Sequence, residues 1–155
     1  MFFNMKIFIP LKKYILKTSC LALLISSSNI VFAEKLLVIT HKNNDVPSLT
    51  KQQTVNLFMG GANKFGLTPV SLSNDDKLIR EKFNTFVIGL TESRIRSYWA
   101  QMQFSGRGKP PETIDTQEEM VKLISSDTRY IGYVSDETAL PKNVQIVFSL
   151  DTSLE

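Results

Sequence analysis

Tyr130-Ile131-Gly132-Tyr133-Val134 is a short apolar run interrupted by one glycine. It reads as a buried strand, and what lies on either side of it decides the fold. Upstream, Thr116 with Glu119 forms a capping-box pattern that opens a helix over Met120, Val121 and Ile124. Downstream, Val144, Ile146, Phe148 and Leu150 alternate with Gln145, Val147 and Ser149, the two-residue period of a half-buried strand. The same grammar holds further out. Leu36-Leu37-Val38-Ile39 is too short for a helix and reads as a strand. Thr50 with Gln53 caps a helix carrying Val55, Phe58 and Met59, which Gly60-Gly61 ends. Residues 67–72 form another strand, entered through Pro69.

Ser73-Asn74-Asp75-Asp76 is a helix-start cluster, followed by Ile79, Phe83, Phe86, Val87 and Leu90 at helical spacing. Gly89 and Thr91 break that run before a second amphipathic helix marked by Ile95, Tyr98, Trp99 and Met102. Phe83, Val87, Tyr98, Trp99 and Met102 are expected to pack as one group beneath these helices. Two glycines and two prolines make residues 104–111 a loop. Strands that alternate with helices define an α/β domain.

Length and composition agree with one globular domain: 155 residues, 43% hydrophobic and 21% charged. One cysteine excludes a disulfide framework, and one histidine, His41, excludes a histidine-rich metal centre. The formal charge of +3 belongs to residues 1–33. That segment carries Lys6, Lys12, Lys13 and Lys17 with no acid, then an apolar run from Thr18 to Ile30, then Val31-Phe32-Ala33. This is the layout of a signal peptide, cleaved after Ala33; an uncleaved anchor is the alternative reading. Lys17-Thr18-Ser19 ahead of Cys20 does not make a lipobox. Cleavage leaves 122 residues, 34–155, with 14 basic against 15 acidic residues and a net charge of −1. The basic balance that would favour nucleic acid disappears with the leader. Localisation is expected in the periplasm, with no membrane attachment after cleavage.

The sequence holds little catalytic material. It has no glycine-flanked nucleophile, no His-Glu-x-x-His pattern and no P-loop. His41 at a strand end reads as a solvated or capped histidine. Asp75-Asp76 and Glu118-Glu119 sit at helix starts, where carboxylates favour the helix N-terminus. No catalytic residue, metal or cofactor is expected. The turn Gly106-Arg107-Gly108-Lys109 reads as solvated, with Arg107 as a nearby cation source.

Several pieces occur together in a fixed order: Leu36-Leu37-Val38-Ile39, Val46-Pro47-Ser48-Leu49-Thr50, Leu57-Phe58-Met59-Gly60-Gly61, Pro69-Val70, Ile79-Arg80-Glu81-Lys82-Phe83, Tyr98-Trp99, the loop 104–111, and Tyr130-Ile131-Gly132-Tyr133-Val134. This ordered set resembles the short, single-domain relatives of the phosphate-binding component of ABC phosphate importers. The resemblance implies a single lobe of a type II periplasmic-binding-protein fold, a mixed sheet flanked by helices. It further implies phosphate or another small anion as ligand, and an ABC permease or another envelope protein as partner. By that likeness the ligand site comprises Ser71, Ser73, Asn74 and Asp75 in the strand-to-helix loop, Ser48 and Thr50 at a neighbouring helix start, and Arg107. The sequence departs from the family where full-length phosphate binders carry Asp-Gly-Ser-Gly-Thr. It has Ser73-Asn74-Asp75-Asp76-Lys77-Leu78-Ile79 instead, which removes the glycines and adds a carboxylate. Two like charges about 4 Å apart repel by about 4 kcal/mol at an effective dielectric near 20. The alternative function is therefore a one-lobe derivative without a ligand that contacts another envelope protein.

Overall fold

A computed structural model describes residues 35–152, so the expected leader and its cleavage point lie outside the described residues. Strand β1 (Lys35–His41) is buried along nearly its whole length. That is what a continuous aliphatic run produces when both faces of a sheet are covered. Helix α1 (Lys51–Phe58) starts at the expected capping box: the Thr50 hydroxyl accepts from the Gln53 N–H, and the Gln53 side chain accepts from the Thr50 N–H. Then follow β2 (Thr68–Leu72), α2 (Lys77–Lys82), α3 (Glu92–Phe104), β3 (Glu112–Ile114), α4 (Gln117–Ser126), β4 (Tyr130–Ser135) and β5 (Val144–Asp151).

The five strands form one mixed sheet in the order β3-β2-β4-β1-β5. β1 runs antiparallel to both β4 and β5, while β2 is parallel to β3 and β4. The fold class read from the sequence, α/β with a mixed sheet flanked by helices, is the one observed. The short strand β3 has no counterpart in that reading; three residues after two prolines carry too little pattern to register.

Gly132 and Tyr133 show how β4 organises both layers. Successive residues of a strand point to opposite faces. A Cβ at Gly132 would lie 2.3 Å from the Met120 sulfur and 3.1 Å from Ile124 Cδ1, so α4 packs directly onto the bare glycine backbone. On the other face the Tyr133 ring stacks on Phe83, with centroids 3.8 Å apart and planes 2° from parallel. Phe58 of α1 meets both rings edge-on, at 4.9 and 5.8 Å. Helix α4 thus covers one face, and α1 with the segment carrying Phe83 covers the other.

Two sequence expectations change in the structure. The alternation in β5 places Ile146 with Val144, yet Val147 is buried at 2% exposure while Ile146 is 49% exposed. The register explains it: Val38 pairs with Phe148 and Ile39 with Ile146, leaving Val147 as the extra residue of a bulge. One inserted residue flips the alternation. Val147 also accepts a hydrogen bond from the Leu49 N–H at 2.6 Å, which lays residues 46–49 against this strand.

The second change concerns the helical stretch after the 73–76 cluster. α2 has six residues and passes into a π-helical turn, Phe83–Ile88, closed by Gly89 at φ 79°. Phe83 and Val87 join the main core, but Trp99 does not, and Tyr98 and Met102 are half-buried. Trp99 instead lies over Gly60 and beside Gly108, bracing α3 against the end of α1, where the Tyr98 hydroxyl donates to the Met59 carbonyl at 2.8 Å. The expected single group is two groups, because the π turn and Gly89 redirect the chain before α3 begins.

Gly132→Ala is expected to destabilise the protein by about 1–3 kcal/mol, the usual range for overpacking a well-filled core. Met120 and Ile124 are fully buried and have little room to retreat. Urea melts of the two proteins measure it, and an unchanged midpoint would mean that α4 slides freely over β4.

Candidate anion-binding cavity

The parallel pairing of β2 with β4 covers Thr68↔Tyr130 and Pro69↔Ile131. Past that point the Tyr133 side chain takes over. Its hydroxyl accepts from the Leu72 N–H at 3.2 Å and lies 2.8 Å from Ser71 Oγ. Burial pushes the phenol up to about 12, against the opposing pull of the Ser71 and Leu72 hydrogen bonds. The ring therefore stays neutral, and its buried proton has Ser71 Oγ as the acceptor within reach.

Ser71 lines a cavity of about 340 Å³. Its floor and walls come from α1, β2, the π turn, α3 and the Pro110-Pro111 loop. The polar groups gather around Arg80. Arg80 Nη2 donates to Asn74 Oδ1 at 2.7 Å. Its Nε lies 3.1 Å from Glu92 Oε1, and Asn84 Nδ2 donates to the same carboxylate oxygen. Arg80 Nε is buried, and the contact with Glu92 is an ion pair without a directed hydrogen bond. The π turn is what carries Asn84 inward to meet Glu92 at the start of α3; such turns are common at functional sites.

The structure places the residues singled out from the sequence in several different settings. Ser71 lines the cavity and Asn74 joins its Arg80 network. Ser73 Oγ accepts from the Asp75 N–H at 3.2 Å and so shapes the loop, while Asp75 is exposed. Ser48 lies in a shallow groove against β5, and the Thr50 hydroxyl is engaged in the α1 cap. Arg107 is exposed on the turn after α3 and is not part of the cavity wall. Ser48, Thr50 and Arg107 are thus not brought to Ser71. The helix start expected to receive an anion opens a helix of only six residues, and Asp76 at its cap makes no side-chain capping bond. Few peptide dipoles align there; the cavity's cations are Arg80 and Arg96, of which Arg80 holds the polar network.

Arg80, Asn84 and Glu92 were not singled out as site residues. A signal for Arg80 existed: it follows core-facing Ile79 and stands one helical turn before Asn84. His41 caps the turn Lys42–Asn44, its Nδ1 accepting from the Asn43 N–H at 3.1 Å. Among the described residues no group of three or more His, Cys, Asp or Glu is placed to hold a metal. No helix among them is long and apolar enough to cross a membrane.

Comparison with solved structures gives the same architecture. The chain aligns with an ABC-type phosphate transport receptor from Vibrio cholerae at TM-score 0.56 and 15% identity, over 74% of this chain and 46% of that one. It aligns equally with a phosphate ABC transporter substrate-binding protein from Clostridium perfringens, solved with bound phosphate, at TM-score 0.55 and 22% identity, over 74% and 45%. The chain has the fold of these receptors and spans about half their length. No family model matches it, and no curated protein matches it in sequence.

Tyr133→Phe is expected to cost about 1–3 kcal/mol, since the Leu72 N–H loses its buried acceptor. A pH dependence should accompany it. The unfolded phenol titrates near 10 and the folded one near 12. The contribution is complete below about pH 10 and falls as pH rises towards 12, because the unfolded state ionises first. By pH 11.5 about 2 kcal/mol of it is lost. Urea stability measured at pH 8 and pH 11.5 should show this loss in the wild type; an equal loss in the Phe variant would assign it elsewhere.

Proposed function

We propose that the chain is an exported, non-enzymatic solute-binding-type module, mature from residue 34, which takes a small anion at the Arg80 end of this cavity. The observation that carries the reading is that Ser71, at the C-terminal end of β2, and Arg80 of α2 line one cavity. Open α/β sheets bind ligands outside the carboxyl ends of their strands. The shared fold with two phosphate receptors supports phosphate as the first anion to test. In this reading the partner is an ABC permease or another envelope protein.

Affinity for phosphate is expected to be about millimolar, or about −4 kcal/mol. Glu92 already neutralises part of the Arg80 charge, and Asp75 and Asp76 stand in the adjoining loop. Arg80→Gln should weaken binding at least tenfold, in keeping with about 1.5–3 kcal/mol for a hydrogen bond to a charged group. Glu92→Gln, which keeps an acceptor for Asn84, should tighten it about tenfold. Titration calorimetry on the three proteins decides this. Micromolar binding by the wild type would restore a plain import receptor.

The second reading is a ligand-free module that contacts another envelope protein. Phe104, 96% exposed at the end of α3, favours it, as a large aromatic left in solvent suits an interface. Absence of binding by all three proteins would favour that reading. Export has its own check: mass spectrometry of the extracytoplasmic protein should find a chain starting at Glu34. An intact Met1 in the membrane fraction would point to a retained anchor.

A further inference from the structure

The cavity is larger and more apolar than an inorganic anion needs. At about 340 Å³ it falls in the range of sites that enclose whole small molecules. Phe58, Phe83, Ile88, Ile95, Trp99 and Pro111 line it together with Ser71 and the Arg80–Asn84–Glu92 group. A phosphate ion held at Arg80 would leave these apolar walls uncovered. An apolar group attached to the anion would gain from the same walls.

The charge of the lining narrows the class further. Arg80, Arg96 and Glu92 are its charged residues, giving a net charge of +1. Glu92 stands against Arg80 itself, so a dianion would meet its repulsion more strongly than a monoanion. A planar guanidinium suits carboxylate and phosphate alike, so the apolar walls and Glu92 decide between them.

We propose that the preferred ligand is an organic monocarboxylate with an aromatic or branched apolar body, its head at Arg80 and its body against Trp99 and Ile95. This rests on the reading of Arg80 as the anion anchor and adds the class of ligand to it. Inorganic phosphate is then a weak ligand of the same site.

Trp99 is the single tryptophan of the chain and lines the cavity, so its emission reports occupancy directly. The mature protein is titrated with phenylacetate, acetate and inorganic phosphate, by fluorescence and by calorimetry. Phenylacetate should bind at least tenfold more tightly than either other anion and should change the Trp99 emission. Arg80→Gln should weaken phenylacetate at least tenfold. Ala100→Glu should do the same; this residue is exposed at the cavity edge on α3, so the change adds a carboxylate without touching the core. Phosphate binding as tight as phenylacetate would overturn the proposal and leave the anion reading standing. Phenylacetate binding indifferent to Arg80→Gln would also overturn it. No binding of any of the three anions would remove both readings.

Discussion

A buried phenol at the centre of the sheet sets the geometry of everything that follows. Tyr133 stacks on Phe83 and reaches past the last β2–β4 pair to hold Leu72 and Ser71. A hydroxyl buried this deeply must find partners, and its partners are the end of β2. The same residue therefore fixes the helical layer on one side and the strand-to-loop transition on the other. Gly132 beside it does the complementary work, letting α4 approach the opposite face. Two adjacent residues with opposite orientations thus couple both layers to the position of one loop.

The cavity inherits its electrostatics from that framework. Phe83 lies in the π turn, and the turn's widened geometry also carries Asn84 inward beside Glu92. Arg80, one residue after core-facing Ile79, is held half-buried at the cavity wall by Asn74 and Glu92. The result is a cation with a built-in competitor. An anion at this position would have to share Arg80 with a carboxylate or displace it. This differs from a set of backbone donors at a long helix start, where no acid competes for the positive end.

α3 buries Trp99 and half-buries Ile95, Tyr98 and Met102, while Phe104 at its end projects into solvent. The chain spans about half the length of the phosphate receptors whose fold it shares. In this chain the cavity wall is completed by α3 and the Pro110-Pro111 loop.

The sequence by itself determined most element types, the α1 and α4 caps and the α/β class. Each of these rests on local grammar: hydrophobic period, a hydroxyl three residues before its partner, and glycines at helix ends. The flip in β5 was invisible because a bulge leaves composition unchanged and alters only which residue faces inward. β3 was too short to carry a period. Of the residues at the cavity, the sequence reading named Ser71 and Asn74 but not Arg80, Asn84 and Glu92. Their meaning depends on a π turn and on α3 folding back after Gly89, which bring residues from three segments to one carboxylate. Sequence spacing records what lies one helical turn away. Only the tertiary structure decides which charge meets which, because that depends on where separate elements are packed.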